Sequence, residues 1–277
     1  MAKRLFQLWK LYARMDWYYT TQDLFTAIVT ILSETIMALS SFAGVALLAV
    51  QFGGAGGLSE HEILVMLSFH IFAKGLENML FGNCNVGVIS RRVGRAQVDH
   101  MLIQPMPLWM QLLTEGFMPI SGSESMLCGV FALFAFVPMA GIAVTPLWIV
   151  LLFVLALSRI AIRLALSYIA GSFAFWEPAG CEELSDVLLG LCDTVSDYPL
   201  SGMPRMVVGV LVTVIPLGVL TYLPGLILLG RLDALWTAWP VFLAVLLASA
   251  AAAFFRKGLK RYVKAGCARY KSMGHRS

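Results

Sequence analysis

Several stretches of this chain run for about twenty residues or more with at most one or two charged side chains, and no other feature restricts its fold as much. A helix of roughly 20 apolar residues crosses the ~30 Å hydrocarbon core of a bilayer. The stretches lie at about 24–50, 63–82 and 125–144, from Pro146 to about 172, and at about 235–255. Together they take up about two fifths of the 277 residues, which are 59% hydrophobic and 13% charged. Soluble domains carry about 25% charge. An ordinary soluble domain has no room in what remains, so the expectation is one transmembrane domain over 1–277. Its parts are an interfacial helix at 1–23, a membrane bundle at 24–255 and a basic tail at 256–277.

One region has two readings. Its Leu and Val positions allow a short span at about 184–198, with 207–229, interrupted by Pro216 and Pro224, as a re-entrant pair of half-helices. Alternatively 207–229 is itself a span and 177–205 stays outside the membrane. Composition favours the second reading, because Asp186, Asp193 and Asp197 are costly in lipid. Either reading makes six spans.

Residues 1–23 read as an amphipathic helix in the interface. Leu5, Leu8, Trp9 and Tyr12 share a broad face opposite Lys3, Lys10 and Arg14, and Trp17, Tyr18 and Tyr19 mark headgroup depth. A secretory signal is not expected there, since the segment is too polar and aromatic. The stretch SRRVGRAQVDH (90–100) and the tail are basic, and the connectors 51–62 and 141–147 hold no Lys or Arg. The positive-inside rule then places both termini and the 90–100 loop in the cytoplasm, which an even number of spans satisfies. The basic tail reads as a topology determinant touching anionic lipid, with no nucleic acid as partner.

Few ionisable residues fall within the spans: Glu34, His70, Lys74, Glu77, Arg159 and Arg163. Each costs roughly 2.5–3.5 kcal/mol at mid-membrane on insertion scales, so they are expected to face protein or water and to be paired. Lys74 and Glu77, three apart, can pair on one helix face, and depth counting pairs Glu34 with Arg159 or Arg163. Such charges serve as helix-to-helix glue, as the lining of a substrate path, or as a proton relay. His70 alone reads as a packed or hydrogen-bonded residue. The five cysteines are scattered without CxxC, which argues against a disulfide scaffold or a metal site. No phosphate-binding loop, HExxH or nucleophile elbow is present, so neither ATP binding of the P-loop kind nor catalysis is expected of this chain.

GRAQVDHMLIQPMPLWMQLL (94–113) resembles the stretch after the second span of type-2 ABC exporter permeases: a basic, glycine-containing turn, a helix, two apolar residues, a spacer and Pro. The matching positions are Gly94, Asp99, Met101, Leu102 and Pro105, with Arg91, Arg92 and Arg95 beside them. YPLSGMPRMVVGVLVTVIPLGVLTYLPGLILLG (198–230) is similar to the Tyr-Pro and Ile-Pro pattern of the bacterial branch of that family.

The resemblance implies an all-α membrane fold with six spans, a cytoplasmic coupling helix after the second, and re-entrant helices before the last. It therefore favours 184–198 as the fifth span, against composition. It also implies two separate ABC ATPase subunits, which carry the ATP and Mg, and a second permease chain, identical or homologous, in the cell membrane. A stand-alone secondary transporter or channel is the alternative, and a membrane enzyme or assembly factor a third.

Overall fold

The computed structural model describes residues 2–82 and 89–265, and among them every regular element is a helix. Cys84, Cys267, Arg269, Lys271 and Arg276 lie outside the described residues.

Helix α1 (Ala2–Gln22) turns the face predicted from its wheel inward: Leu5, Leu8, Trp9 and Tyr12 are partly buried, while Lys10 and Arg14 are exposed. Trp9 stacks on Phe117 at 5.5 Å. The buried Asp16 carboxylate accepts from the backbone N–H of Ile120 (2.7 Å) and Ser121 (3.2 Å) and from the Ser121 hydroxyl. These charge-assisted bonds pin α1 to the connector ahead of the third apolar stretch.

Asp23 caps α2 (Leu24–Gln51), accepting from the Thr26 N–H at 3.1 Å and its hydroxyl at 2.6 Å. Ser59 and Glu62 form a capping box on α3 (Glu60–Phe81). The short α4 (Ile89–Gly94), α5 (Gln97–Ile103) and α6 (Leu108–Thr114) follow, then α7 (Glu124–Met139). Thr145 caps α8 (Pro146–Ser172), with Pro146 in the first turn, where its missing N–H leaves no bond unmade. The chain ends in α9 (Pro178–Asp197), α10 (Arg205–Thr213), α11 (Tyr222–Leu228) and α12 (Ala238–Ala265).

Helices α3 and α7 meet backbone to backbone. A Cβ on Gly129 would stand 2.2 Å from the Phe72 nitrogen, and one on Gly75 2.0 Å from the Met126 nitrogen. Small residues at such a crossing let membrane helices approach closely and gain dispersion contacts. Around this pair the core gathers Val65 and Phe69 of α3, Leu155 and Ile162 of α8, and Leu220 and Leu228 from around α11. The most apolar window of α2 is only 6% buried in the protein, against 72% for α3, so α2 leaves its surface to lipid.

Four helical stretches among the described residues have the length and apolarity to cross a membrane: Leu24–Gln51, Glu60–Phe81, Pro146–Phe175 and Ala234–Lys264. The expected third span is shorter than read: α7 stops at Met139, where Gly141 at φ 71° turns the chain and the Ile142 N–H closes back on the Val137 carbonyl at 3.2 Å. The reading of 207–229 as one span is overturned. α10 ends before Pro216, which has no N–H to donate; the Gly218 N–H turns back to the Leu211 carbonyl at 2.8 Å, and the chain restarts as α11. The last helix runs ten residues past the expected boundary at 255 and carries Arg256, Lys257, Lys260, Arg261 and Lys264 on helical turns.

Candidate functional site

Helical spacing brings seven ionisable side chains to one region of the bundle. Arg159 and Arg163 are one turn apart on α8, His70, Lys74 and Glu77 lie along one stripe of α3, and Asp193 and Asp197 are one turn apart on α9. Arg159 and Arg163 are 0% and 2% exposed, and Glu77 is 1% exposed. Glu77 bridges both arginines, with Oε1 2.7 Å from Arg163 Nε and Oε2 3.5 Å from Arg159 Nη1. Arg163 also grips Asp193 with both terminal nitrogens, Nη2 at 3.1 Å from Oδ2. Two cations thus meet two carboxylates at the join of α3, α8 and α9. That balance removes the net charge which makes isolated ions costly in lipid.

His70 continues the network. Its Nε2 lies 3.1 Å from Asp197 Oδ1, and its Nδ1 lies 3.2 Å from Thr221 Oγ1 and 3.5 Å from Arg159 Nη2. An arginine nitrogen only donates, so Nδ1 is the acceptor and Nε2–H donates to Asp197. The ring is a neutral connector between α3, α9 and the residue ahead of α11, in keeping with the hydrogen-bonded role expected for it.

Two expected pairs are corrected. Glu34 does not reach Arg159 or Arg163: it is exposed on α2, which packs on α3 and α7, and Glu77 of α3 supplies the carboxylate. Depth counting placed Glu34 at the right height without knowing which helix is adjacent. Glu77 for its part turns to the arginines, and Lys74 faces a cavity instead. Sequence reasoning also missed Asp193 and Asp197 as partners and counted them only as a cost. Their four-residue spacing repeats that of Arg159 and Arg163, and this was the available signal.

That cavity, about 240 Å³, lies between α2, α3, α7 and α9 and is lined by Glu34, His70, Lys74, Ser125 and Asp197. A second, about 540 Å³, shares Glu34 and Asn78 with the first and reaches Tyr12, Asp16 and Glu124. The two adjoin at Glu34 and Asn78, so cavities of mixed lining run from α1 to the side of α3 that carries His70 and Lys74.

The segment expected to couple to a partner is a compact hairpin of α4 and α5. Gly94 is buried at the end of α4, and the reversal falls on Arg95 and Ala96, with Ala96 at φ 58°. Arg91 is paired with Glu182 at 2.6 Å, Arg92 is paired with Glu115, and Asp99 accepts from the Tyr262 hydroxyl at 2.8 Å. The Met101 carbonyl accepts from Gln111 at 2.8 Å. Arg91, Arg92 and Asp99 therefore fasten the hairpin to α9, the end of α6 and α12. Arg95, Leu102, Ile103 (81% exposed) and Pro105 are left on its surface.

Apolar helices of membrane-crossing length around a buried charge cluster define a multi-pass membrane protein. The family described as ABC-2 family transporter protein matches residues 32–266, and the chain belongs to it. It is a membrane component of an ABC transporter, a transport component rather than a catalyst, and family membership implies an ABC ATPase as partner. No curated protein and no solved structure matches the chain.

Proposed function

We propose that this chain is the transmembrane subunit of an ATP-driven exporter, forming half of a translocation path and taking its power stroke through the α4–α5 hairpin. One observation carries this reading. The hairpin presents Arg95, Leu102, Ile103 and Pro105 outward while Arg91–Glu182, Arg92–Glu115 and Asp99–Tyr262 tie its base to three separate parts of the bundle. A push on that tip reaches α9 and α12 through charge-assisted bonds, not through a loose loop.

In this reading α7 and α9 complete six spans, α10 and α11 are the re-entrant pair, and both termini and the hairpin are cytoplasmic in the cell membrane. The inward glycine contacts of α7 and the Asp193 and Asp197 pairs of α9 support membrane placement of two helices, the first shorter than a full span and the second less apolar. Two ATPase subunits bind and hydrolyse MgATP, and a second permease, identical or homologous, closes the path. The joined cavities suit an amphiphilic cargo, whose polar end meets Glu34, Lys74 and Asp197.

Co-purification tests it. The tagged chain is expected to bring down an ATPase, and Leu102→Asp with Ile103→Asp to abolish that while membrane insertion persists. Arg91→Glu is expected to lower the thermal stability of the chain, because its partner is Glu182 of the same chain. Transport by the purified chain in liposomes without any ATPase sinks the proposal and supports a stand-alone carrier.

A further inference from the structure

Along α8 and α12 the bundle has an open groove of about 410 Å³ with an almost wholly apolar lining. Its floor is alanine, Ala161 and Ala165 from α8 and Ala248, Ala251 and Ala252 from α12, so two helices that pack side by side leave a furrow between them. One end is different. Tyr168 sits edge-on to Phe255 at 5.5 Å and donates its hydroxyl to the Trp109 carbonyl at 3.0 Å, which sets Trp109, Tyr168, Phe255 and Arg256 together. Trp109 keeps 42% of its surface exposed.

We infer that this groove is a binding site for an anionic phospholipid, with an acyl chain along the alanine floor and the phosphate at Arg256. Three observations carry it. The first is shape and polarity: a long apolar furrow closed at one end by a guanidinium matches one molecule with a hydrocarbon tail and an anionic head. The second is that Arg256 is exposed and has no ion pair among the described residues, whereas Arg91, Arg92, Arg159, Arg163 and Arg231 are each matched to a carboxylate. Lys260, one turn further along the same face, is also exposed and adds a second cation beside the head. Nearby Arg261 is already engaged over the Trp176 ring at 5.7 Å. The third is the half-exposed Trp109, an aromatic amphiphile of the kind that settles at headgroup depth.

A second copy of this chain fits the groove less well. A two-fold contact sets a patch against itself, and Arg256 would then face Arg256 with no carboxylate to separate them.

The test uses the full chain in nanodiscs of phosphatidylcholine with or without phosphatidylglycerol, with bound lipid counted by native mass spectrometry. Phosphatidylglycerol is expected to be retained about thirtyfold over phosphatidylcholine, the preference two surface cations give. Arg256→Glu is expected to bring the two lipids to parity. Ala248→Leu with Ala252→Leu fills the groove from its exposed side and is expected to remove both lipids while the melting temperature in phosphatidylcholine stays at the parent value. Equal retention of the two lipids by the parent chain overturns the inference, as does an undiminished preference in Arg256→Glu or in the milder Arg256→Gln. If filling the groove changes the dimer fraction and leaves lipid retention alone, a second copy is the occupant and the lipid site is refuted.

Discussion

Replacing Glu77 by Met tests the charge cluster at its centre. The side chain is about the same length and apolar, so packing is kept while both arginines lose their shared carboxylate. Arg163 retains Asp193, so the loss falls chiefly on Arg159, which is 0% exposed. Breaking a buried pair from one side costs about 3–5 kcal/mol, because the remaining charge stays desolvated. At roughly 2–4 °C per kcal/mol, the expected drop in melting temperature is on the order of 10 °C. The intrinsic fluorescence of the seven tryptophans, followed on heating in nanodiscs, supplies the readout. Adding Arg159→Met removes the stranded charge and is expected to recover at least half of the loss. Glu34→Gln, at an exposed site with no ion pair among the described residues, is expected to shift the melting point by no more than about 1–2 °C. The reasoning is refuted if Glu77→Met matches Glu34→Gln, or if the double variant is less stable than either single change predicts.

Two other expectations are simpler to state. Hydrogen bonds from the Thr26 hydroxyl and N–H hold the Asp23 carboxyl below the usual carboxylate range. A depressed carboxyl stabilises its helix end above its unfolded pKa and loses that contribution as pH falls through the folded value. Amide exchange at Thr26 is therefore expected to quicken below about pH 4, and Asp23→Asn to remove the pH dependence. Gly129→Ala drives a methyl to within 2.2 Å of the Phe72 nitrogen, forcing α3 and α7 apart. Such overpacking costs about 1–3 kcal/mol, whereas Gly209→Ala, with nothing within 4 Å on exposed α10, is expected to be neutral or slightly stabilising in the same melts.

Much of the architecture was legible because apolar length and proline position are local. Pro146 and Thr145 mark the start of α8, and Asp23 and Ser59 mark two other starts. What composition leaves out of 184–198 is non-local. Asp193 and Asp197 look prohibitive on a hydropathy scale and cease to be so beside Arg163 and His70, which lie about thirty and more than a hundred residues away. Pairing depends on which helices are neighbours, and a single chain's periodicity does not encode adjacency. The same limit explains Glu34, which was matched to arginines of α8 while Glu77 of α3 is the carboxylate beside them. In the α4–α5 hairpin the residue types were legible and their division of labour was not. Arg91, Arg92 and Asp99 read as surface features until Glu182, Glu115 and Tyr262 are seen opposite them.

The arrangement of the charge cluster along the chain bears on how the protein is built. Synthesis runs from the N-terminus, so Glu77 is made before Arg159 and Arg163, and these before Asp193 and Asp197. Each newly made charge therefore meets a partner already in place: α8 brings two arginines to a carboxylate, and the acidic α9 arrives last at an arginine waiting for it. A chain cut and rejoined so that α9 precedes α8 would keep every contact of the finished bundle and lose this order. The contacts of the cluster are thus ordered along the sequence as well as in space.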